Sequence, residues 1–114
     1  MTGPPRERAE RELGRVLTRL AALGPTRLSR PADGGGAAPV DVVRPVLQQL
    51  ADEAAALEGR ASGVVPVLAD RAVGDQLAVL GRDVLDAAGA TGGDVDEDAL
   101  ERTAARLESL RRAL

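Results

Sequence analysis

The aspartates between positions 70 and 89 are the residues of this sequence whose type and spacing could perform chemistry. Asp75 and Asp86 are separated by about three turns of a helix and could therefore line one side of it. Paired carboxylates can transfer protons or bind a metal ion. Charged residues on a helix are more often found on its solvent-facing side, and we interpret these aspartates in that way.

The sequence lacks the side chains that most often perform nucleophilic catalysis or bind metal ions. The sequence contains no His and no Cys, which removes the commonest acid–base group at neutral pH, the commonest metal ligand and any thiolate. Ser29, Ser62 and Ser109 therefore have no histidine or lysine that could activate them. The sequence predicts no catalytic residue, no bound metal and no cofactor.

The stretch 70–89 that carries the aspartates predicts the central helix of the fold. Gly74 and Gly81 interrupt it, and each should cost about 1 kcal/mol relative to alanine, so we expect a neighbouring backbone to approach closely there. Asp70 is the predicted N-cap, and we expect this helix to be the most buried one. Its apolar residues recur at the spacing of a helix with one buried face: Val73, Leu77, Leu80, Val84 and Leu85.

Two helices are predicted ahead of this one. The first covers about 5–23, because Gly24-Pro25 is a stop signal. The second covers about 41–58 with Asp41 as its N-cap, which places Pro45 at the end of the first turn. An earlier start would put Pro45 inside the helix and should kink it.

A fourth helix is predicted near the end of the sequence. Asp94 is its predicted N-cap, and Glu97 at the third helical position completes a variant capping box. Each of the four helices has one apolar face, so the sequence predicts an all-α four-helix bundle that forms a single domain over residues 1–114.

The segment 59–69 decides how the helices run. If the third helix begins at Asp70, about 11 extended residues can span roughly 36 Å, more than the roughly 27 Å of an 18-residue helix. The second and third helices could then be parallel, in an up-down-down-up bundle, which we favour. If the third helix begins at Pro66, the link is short and an up-down-up-down bundle follows.

The first helix carries a row of arginines that has two interpretations. The row could bind phosphate or an acidic partner, or it could be a solvated face with pairs such as Glu7–Arg11 and Arg8–Glu12. We favour the solvated face. The row consists of Arg8, Arg11, Arg15 and Arg19.

The composition favours self-association. The sequence has no Phe, Tyr or Trp, so the core must consist of Leu, Val and Ala and buries less area per residue than an aromatic core would. A homodimer would bury more apolar surface. We predict that the apolar faces of the first and fourth helices form its interface.

The charge and hydropathy pattern indicates which partners and which cellular environment to expect. The net charge is −3 and there is no aromatic side chain to stack on bases, so nucleic acid is not an expected partner. No apolar stretch has the length of a membrane span or of a secretory signal. We therefore expect a soluble, cytoplasmic protein without a membrane partner.

The second and third helices resemble those of the DinB-like proteins, in particular the mycothiol-dependent maleylpyruvate isomerase group. That group has a stretch like VRDLLAHLAD, where residues 43–52 here read VRPVLQQLAD. It also has a stretch like ELLVHGWDLARATG, where residues 76–89 read QLAVLGRDVLDAAG, with Gly81, Asp83 and Gly89 at matching positions. The resemblance implies a metal-dependent helical bundle.

The metal ligands that the resemblance implies are missing. The group binds a divalent metal through one histidine and a Glu-x-x-x-His pair, and the matching positions are Gln49, Gln76 and Leu80. Leucine cannot coordinate a metal, and neutral amides are poor ligands for zinc-like ions. The resemblance therefore implies a scaffold that has lost its metal site, with Gln49, Gln76, Leu80 and Asp83 around a residual pocket between the second and third helices.

Two functions follow from these observations. The favoured one is a non-catalytic, metal-free helical bundle that acts through protein contacts or self-association. The alternative is a metal-independent enzyme or small-molecule binding protein that uses the residual pocket. Whether the chain is an enzyme stays open, although the missing catalytic side chains favour a non-enzymatic role.

Overall fold

The computed structural model describes residues 3–31, 34–89 and 95–114, and its regular elements in these ranges are all helical. The elements are α1 (Pro5–Leu28), α2 (Pro39–Leu57), a short 3-10 turn (Asp70–Ala72), α3 (Val73–Ala88) and α4 (Glu97–Ala113). The predicted all-α four-helix bundle is confirmed. None of these described helices is both long enough and apolar enough to cross a membrane.

α1 changes direction at the predicted stop signal. Gly24 has φ 74° and ψ 166°, so it leaves the helical conformation in a region that glycine reaches without a steric penalty. The main body of α1 therefore ends at Leu23, as predicted. The short helical piece that follows it ends at Leu28, whose side chain is buried in the core.

α2 begins earlier than the sequence predicted. Pro39 is its first residue and Ala38 precedes it without a side-chain cap, so Asp41 lies in the first turn and does not cap the helix. Proline is favoured at this first position because it has no N–H to leave unpaired. Pro45 consequently lies inside α2, and the helix continues through it to Leu57.

The starts of α3 and α4 also differ from the prediction. Asp70 begins the 3-10 turn ahead of α3, and Ala72 stands at the N-cap position of α3 without a side-chain bond. Asp94 lies outside the described residues. The carboxylate of Asp96 caps α4 by accepting a hydrogen bond from the N–H of Ala99 at 3.0 Å.

The core lies between two closely packed helix pairs. α1 packs mainly on α4, and α2 packs mainly on α3. α3 is the shortest helix, with 16 residues, yet it has six buried residues, as many as each of the others. α3 therefore has the largest buried fraction of the four helices, as predicted, although the packing in two pairs leaves no single helix at the centre. Its buried residues are Val73, Leu77, Gly81, Val84, Leu85 and Ala88.

The two glycines of α3 have different surroundings. A Cβ atom at Gly81 would lie 2.9 Å from Cδ1 of Leu13, so it is a side chain of α1 that approaches closely, and not a backbone as predicted. At Gly74, no described atom would lie within 4 Å of an added Cβ, so the predicted close approach is absent there. Gly81 thus makes room for Leu13 in the contact between α1 and α3.

Buried carboxylates join helices that are distant in sequence. Glu12 of α1 accepts a hydrogen bond from Nε of Arg111 in α4 at 2.7 Å. Glu53 of α2 accepts bonds from Arg102 at 3.0 Å and from Arg106 at 2.9 Å. The bond from Arg111 lowers the pKa of Glu12, and the bond from Arg102 lowers the pKa of Glu53, while burial opposes both shifts.

The arginine row of α1 is engaged within the chain to a larger extent than predicted. Arg8 bonds Glu101 of α4 at 2.6 Å, and not Glu12 as the helical spacing suggested. Arg19 donates to the backbone oxygen of Leu114 at 3.0 Å. The interpretation of Glu12 as a solvated residue was wrong, since it is only 9% exposed.

The helix faces predicted to form a dimer interface are buried within one chain. The apolar residues of α1 and α4 pack against each other in the core and are not available to a second copy. The sequence pattern identified these faces correctly as apolar but could not show that they pair with each other. They are Ala9, Leu13, Val16 and Leu20 in α1, and Leu100, Ala104, Leu107 and Leu110 in α4.

Candidate functional site

The segment that connects α2 to the 3-10 turn, residues 58–69, is fixed to α2 by side-chain hydrogen bonds. The amide of Gln48 accepts from the N–H of Val65 at 2.9 Å and donates to the oxygen of Gly63 at 3.0 Å. It thus pairs with two backbone groups of the connecting segment. Ser62 donates a further hydrogen bond to the carboxylate of Asp52, which lowers the pKa of Asp52.

Further bonds fix the end of the connecting segment. Arg44 of α2 donates to the backbone oxygen of Leu68 at 3.1 Å and to the carboxylate of Asp70 at 2.7 Å. Gln76 of α3 donates to the backbone oxygen of Pro66 at 3.0 Å. Pro66 and Leu68 are exposed residues, so these bonds fix the course of the connecting segment along α2 and α3 and do not satisfy buried backbone groups.

A groove of about 480 Å³ runs between α2 and α3, with the connecting segment as one wall. Its volume is in the range of sites that bind small molecules or short segments of a partner. Most of the lining is apolar, with a few polar groups. The lining residues used below are Ala51, Ala54, Val64, Asp75, Gln76, Val79, Leu80 and Asp83.

Exposed aliphatic side chains are concentrated at this groove. Val64 is 90% exposed and Val79 is 60% exposed, and both line it. Val67 and Leu68 of the connecting segment are also exposed. Among the described residues, the remaining large exposed hydrophobic side chain is Val95, ahead of α4. Four of the five large exposed hydrophobic side chains among the described residues therefore belong to the groove lining or to the adjoining connecting segment.

Three of the four predicted pocket residues lie along this groove. Gln76, Leu80 and Asp83 line it, with Leu80 half-buried and Asp83 exposed. Gln49 does not. It is exposed and lines a different depression, between α2 and α4, next to Arg106.

Gln48, and not Gln49, contacts the connecting segment that forms one wall of the groove, although Gln48 is not itself part of the lining. Neighbouring helix positions point about 100° apart, and both glutamines adjoin the apolar face of α2. Because α3 and the connecting segment pack on one side of that face and α4 on the other, only Gln48 reaches the connecting segment. The sequence pattern alone could not distinguish the two sides.

The residues of the groove do not fit the metal that the family resemblance implies. No group of three or more His, Cys, Asp or Glu side chains in the described ranges is arranged to hold a metal ion. Leu80 is an aliphatic residue, and the amide of Gln76 is already used to bind Pro66. Neutral amide and aliphatic groups are poor partners for a zinc-like ion.

Two carboxylates of α3 lie at the groove without neutralising partners. Asp75 and Asp83 line it, and neither has an ion-pair or hydrogen-bond partner among the described residues. Arg60, the basic residue of the lining, forms an ion pair with Glu58 at 3.0 Å. The groove therefore combines an apolar floor with unpaired negative charge.

The sequence pattern did not identify the exposed wall of this groove. The run VVPVL at 64–68 was interpreted only as a link between helices. Its apolar character was the available signal, since a simple surface link is usually polar. No protein-family model, curated protein or solved structure matches this chain. The similarity to the DinB-like group therefore stays a prediction.

Proposed function

We propose that this chain is a non-catalytic, metal-free helical bundle that acts through contacts with a protein partner, and that the groove between α2 and α3 is the contact surface. The observation that carries the proposal is the concentration of exposed aliphatic side chains, Val64, Val67, Leu68 and Val79, around this groove. Contiguous exposed apolar surface is typical of interaction sites.

We also infer that the bundle has the up-down-down-up order of the DinB-like proteins. Bonds between Arg44 and Asp70 and between Arg8 and Glu101 support it, because each joins residues near the beginnings of two helices. Arg6 of α1 donates to the oxygen of Leu85 near the end of α3 at 2.8 Å. These contacts favour α2 parallel to α3 and α1 parallel to α4.

Side-chain chemistry favours binding over catalysis. The groove offers Asp75, Asp83 and the amide of Gln76, and it lacks a histidine, cysteine or lysine that could act as a base or nucleophile. Gln76 is engaged with the connecting segment. A role in binding requires only the apolar surface and its charges.

A small apolar molecule is the second candidate occupant. The volume of about 480 Å³ and the few polar groups among apolar ones favour it. A protein partner is preferred because Val64 and Val67 are 90% and 78% exposed and Val67 lies outside the groove lining, so a small ligand in the groove would leave apolar surface uncovered.

Binding of a neutral apolar dye such as Nile red tests whether the groove is a binding surface. We expect the wild-type protein to bind the dye and Val79→Asp and Val64→Asp to lose most of that binding. Val95→Asp is the matched control, because Val95 is also exposed but lies ahead of α4. Equal dye binding by all three variants would contradict the assignment of the groove.

A further inference from the structure

We infer that the partner docks into the groove as an amphipathic helix whose apolar stripe is flanked by two basic residues about two helical turns apart. This inference rests on the proposed function and specifies the chemistry of the partner. It follows from how apolar and charged groups are arranged along α3.

The apolar part of the groove suits a helix. Val79 and Leu80 form its α3 side, and Ala51 and Ala54 form its α2 side. Ala54 is buried, and the half-buried Ala51 lets a partner backbone approach α2 closely, while Val79 provides an exposed aliphatic contact. An amphipathic helix that lays its apolar face into such a groove is a recurrent mode of recognition.

The charges select a basic partner. Asp75 and Asp83 flank Val79 along the same helix, and they lie about 12 Å apart along its axis, from the rise of 1.5 Å per residue. Neither carboxylate has a partner among the described residues. Two basic side chains seven or eight positions apart on a docked helix would meet both carboxylates, whereas a small cation would reach only one.

The nearby basic residues do not supply this charge. Arg60 is paired with Glu58, and Arg6, which shares a neighbouring depression with Asp83, is paired with Glu10. Arg71 and Arg82 are exposed and do not line the groove. α3 carries Asp75, Asp83 and Asp86 against Arg82 alone, so its exposed side is acidic overall. Charge complementarity therefore favours a positively charged partner and disfavours an acidic one.

A second copy of this chain does not meet these requirements. A two-fold contact places the same surface of both copies together, so groove against groove would oppose Asp75 and Asp83 of one copy to those of the other. The basic helix of the chain, α1, has its apolar residues buried in its own core. The partner is therefore a different protein.

Synthetic helical peptides of about 16 residues, roughly 24 Å long, test the inference. The probe carries a leucine stripe and two lysines seven positions apart beside it, and a second peptide has both lysines replaced by glutamates. We expect the wild-type protein to bind the lysine peptide at least tenfold more tightly than the glutamate peptide. The binding should weaken with added salt, because the charge pairs lie at the surface.

Matched variants test whether Asp75 and Asp83 are the carboxylates that bind the peptide. Asp75→Asn/Asp83→Asn should weaken binding of the lysine peptide about tenfold and remove most of its salt dependence. Asp86→Asn, which changes an aspartate of the same helix outside the groove lining, should change it less than twofold. Circular dichroism of each variant checks that the fold is retained.

Equal affinity for the two peptides, or an unchanged affinity in the double variant, would overturn the inference. Failure of every peptide to bind, while Nile red still binds at the groove, would also overturn it and leave the proposed function standing. Loss of the dye result itself would instead overturn the proposed function.

Discussion

Gln76 Nε2 donates a hydrogen bond to the backbone oxygen of Pro66 at 3.0 Å, which ties the first turn of α3 to the connecting segment. In the DinB-like group, to which similarity stays a prediction, the matching position carries a metal ligand. Here the amide instead holds the wall of the groove. This position of α3 helps to fix the segment that lines the groove.

Gln48 and Gln49 allow a matched test of the connecting segment. Gln48→Ala removes the partner of the Val65 N–H, the shorter of the two bonds to the Gly63 oxygen and a bond to Asp52, so we expect a loss of about 1–2 kcal/mol in unfolding free energy. Amide exchange at Val65 should become much faster. Gln49→Ala should change neither quantity, and equal effects of the two variants would show that Gln48 does not hold the segment.

Alanine substitutions at Gly81 and at Gly14 test the contact between α1 and α3. Gly14→Ala, in an open part of α1, should raise the unfolding free energy by about 1 kcal/mol from helix propensity. Gly81→Ala should lower it by about 1 kcal/mol, because the new methyl group meets the buried side chain of Leu13. Urea unfolding measures both. A gain of similar size at the two positions would contradict the packing described for Gly81.

Thr103 of α4 is fully buried, and its hydroxyl oxygen finds no hydrogen-bond partner among the described residues. Thr103→Val keeps the shape and removes the unpaired hydroxyl, so we expect a gain of about 1 kcal/mol in unfolding free energy. Thr18→Val, at an exposed position of α1, is the control and should have little effect. A clear loss of stability in Thr103→Val would indicate that the hydroxyl is bonded.

Acid should destabilise the fold through Glu12 and Glu53. Hydrogen bonds from Arg111 and Arg102 lower the folded-state pKa of these carboxyls below their usual value of 4.5. Their contribution to stability is complete above 4.5 and is lost as pH falls through the lowered pKa. The thermal midpoint should therefore decrease below about pH 4.5.

Glu12→Gln/Glu53→Gln should be less stable than the wild type near neutral pH, and its thermal midpoint should depend less on pH in the acid range. Thermal unfolding followed by circular dichroism between neutral and acid pH measures this. An unchanged slope in the double variant would assign the acid sensitivity to other groups.

The sequence predicted the helices well because each carries an apolar face that repeats with the period of a helix. The stop at Gly24 followed from its residue type. The start of α2 was predicted at Asp41, two residues late. Asp41 suits an N-cap and Pro39 suits a first helical position, and these local preferences did not decide between the two starts. These features depend on residues close together in the chain.

The groove depends on contacts between distant residues and was therefore only partly predicted. Gln76, Leu80 and Asp83 share one side of α3, so the sequence could group them. The choice between Gln48 and Gln49 depended on which helix packs on which side of α2. The sequence could not show that the exposed valines of the connecting segment lie beside the groove, because their position depends on the hydrogen bonds that fix the segment to α2 and α3.

The most direct test of the central claim is photo-crosslinking in cells of the source organism. A photoreactive amino acid is placed at Val79 in the groove, or at Val95 as the control. We expect an adduct with a different protein from position 79, its loss when Val64→Asp is added, and no such adduct from position 95. An adduct of twice 11.7 kDa would instead indicate self-association. No protein adduct at position 79, or the same adducts from both positions, would contradict the claim that the groove binds a protein partner.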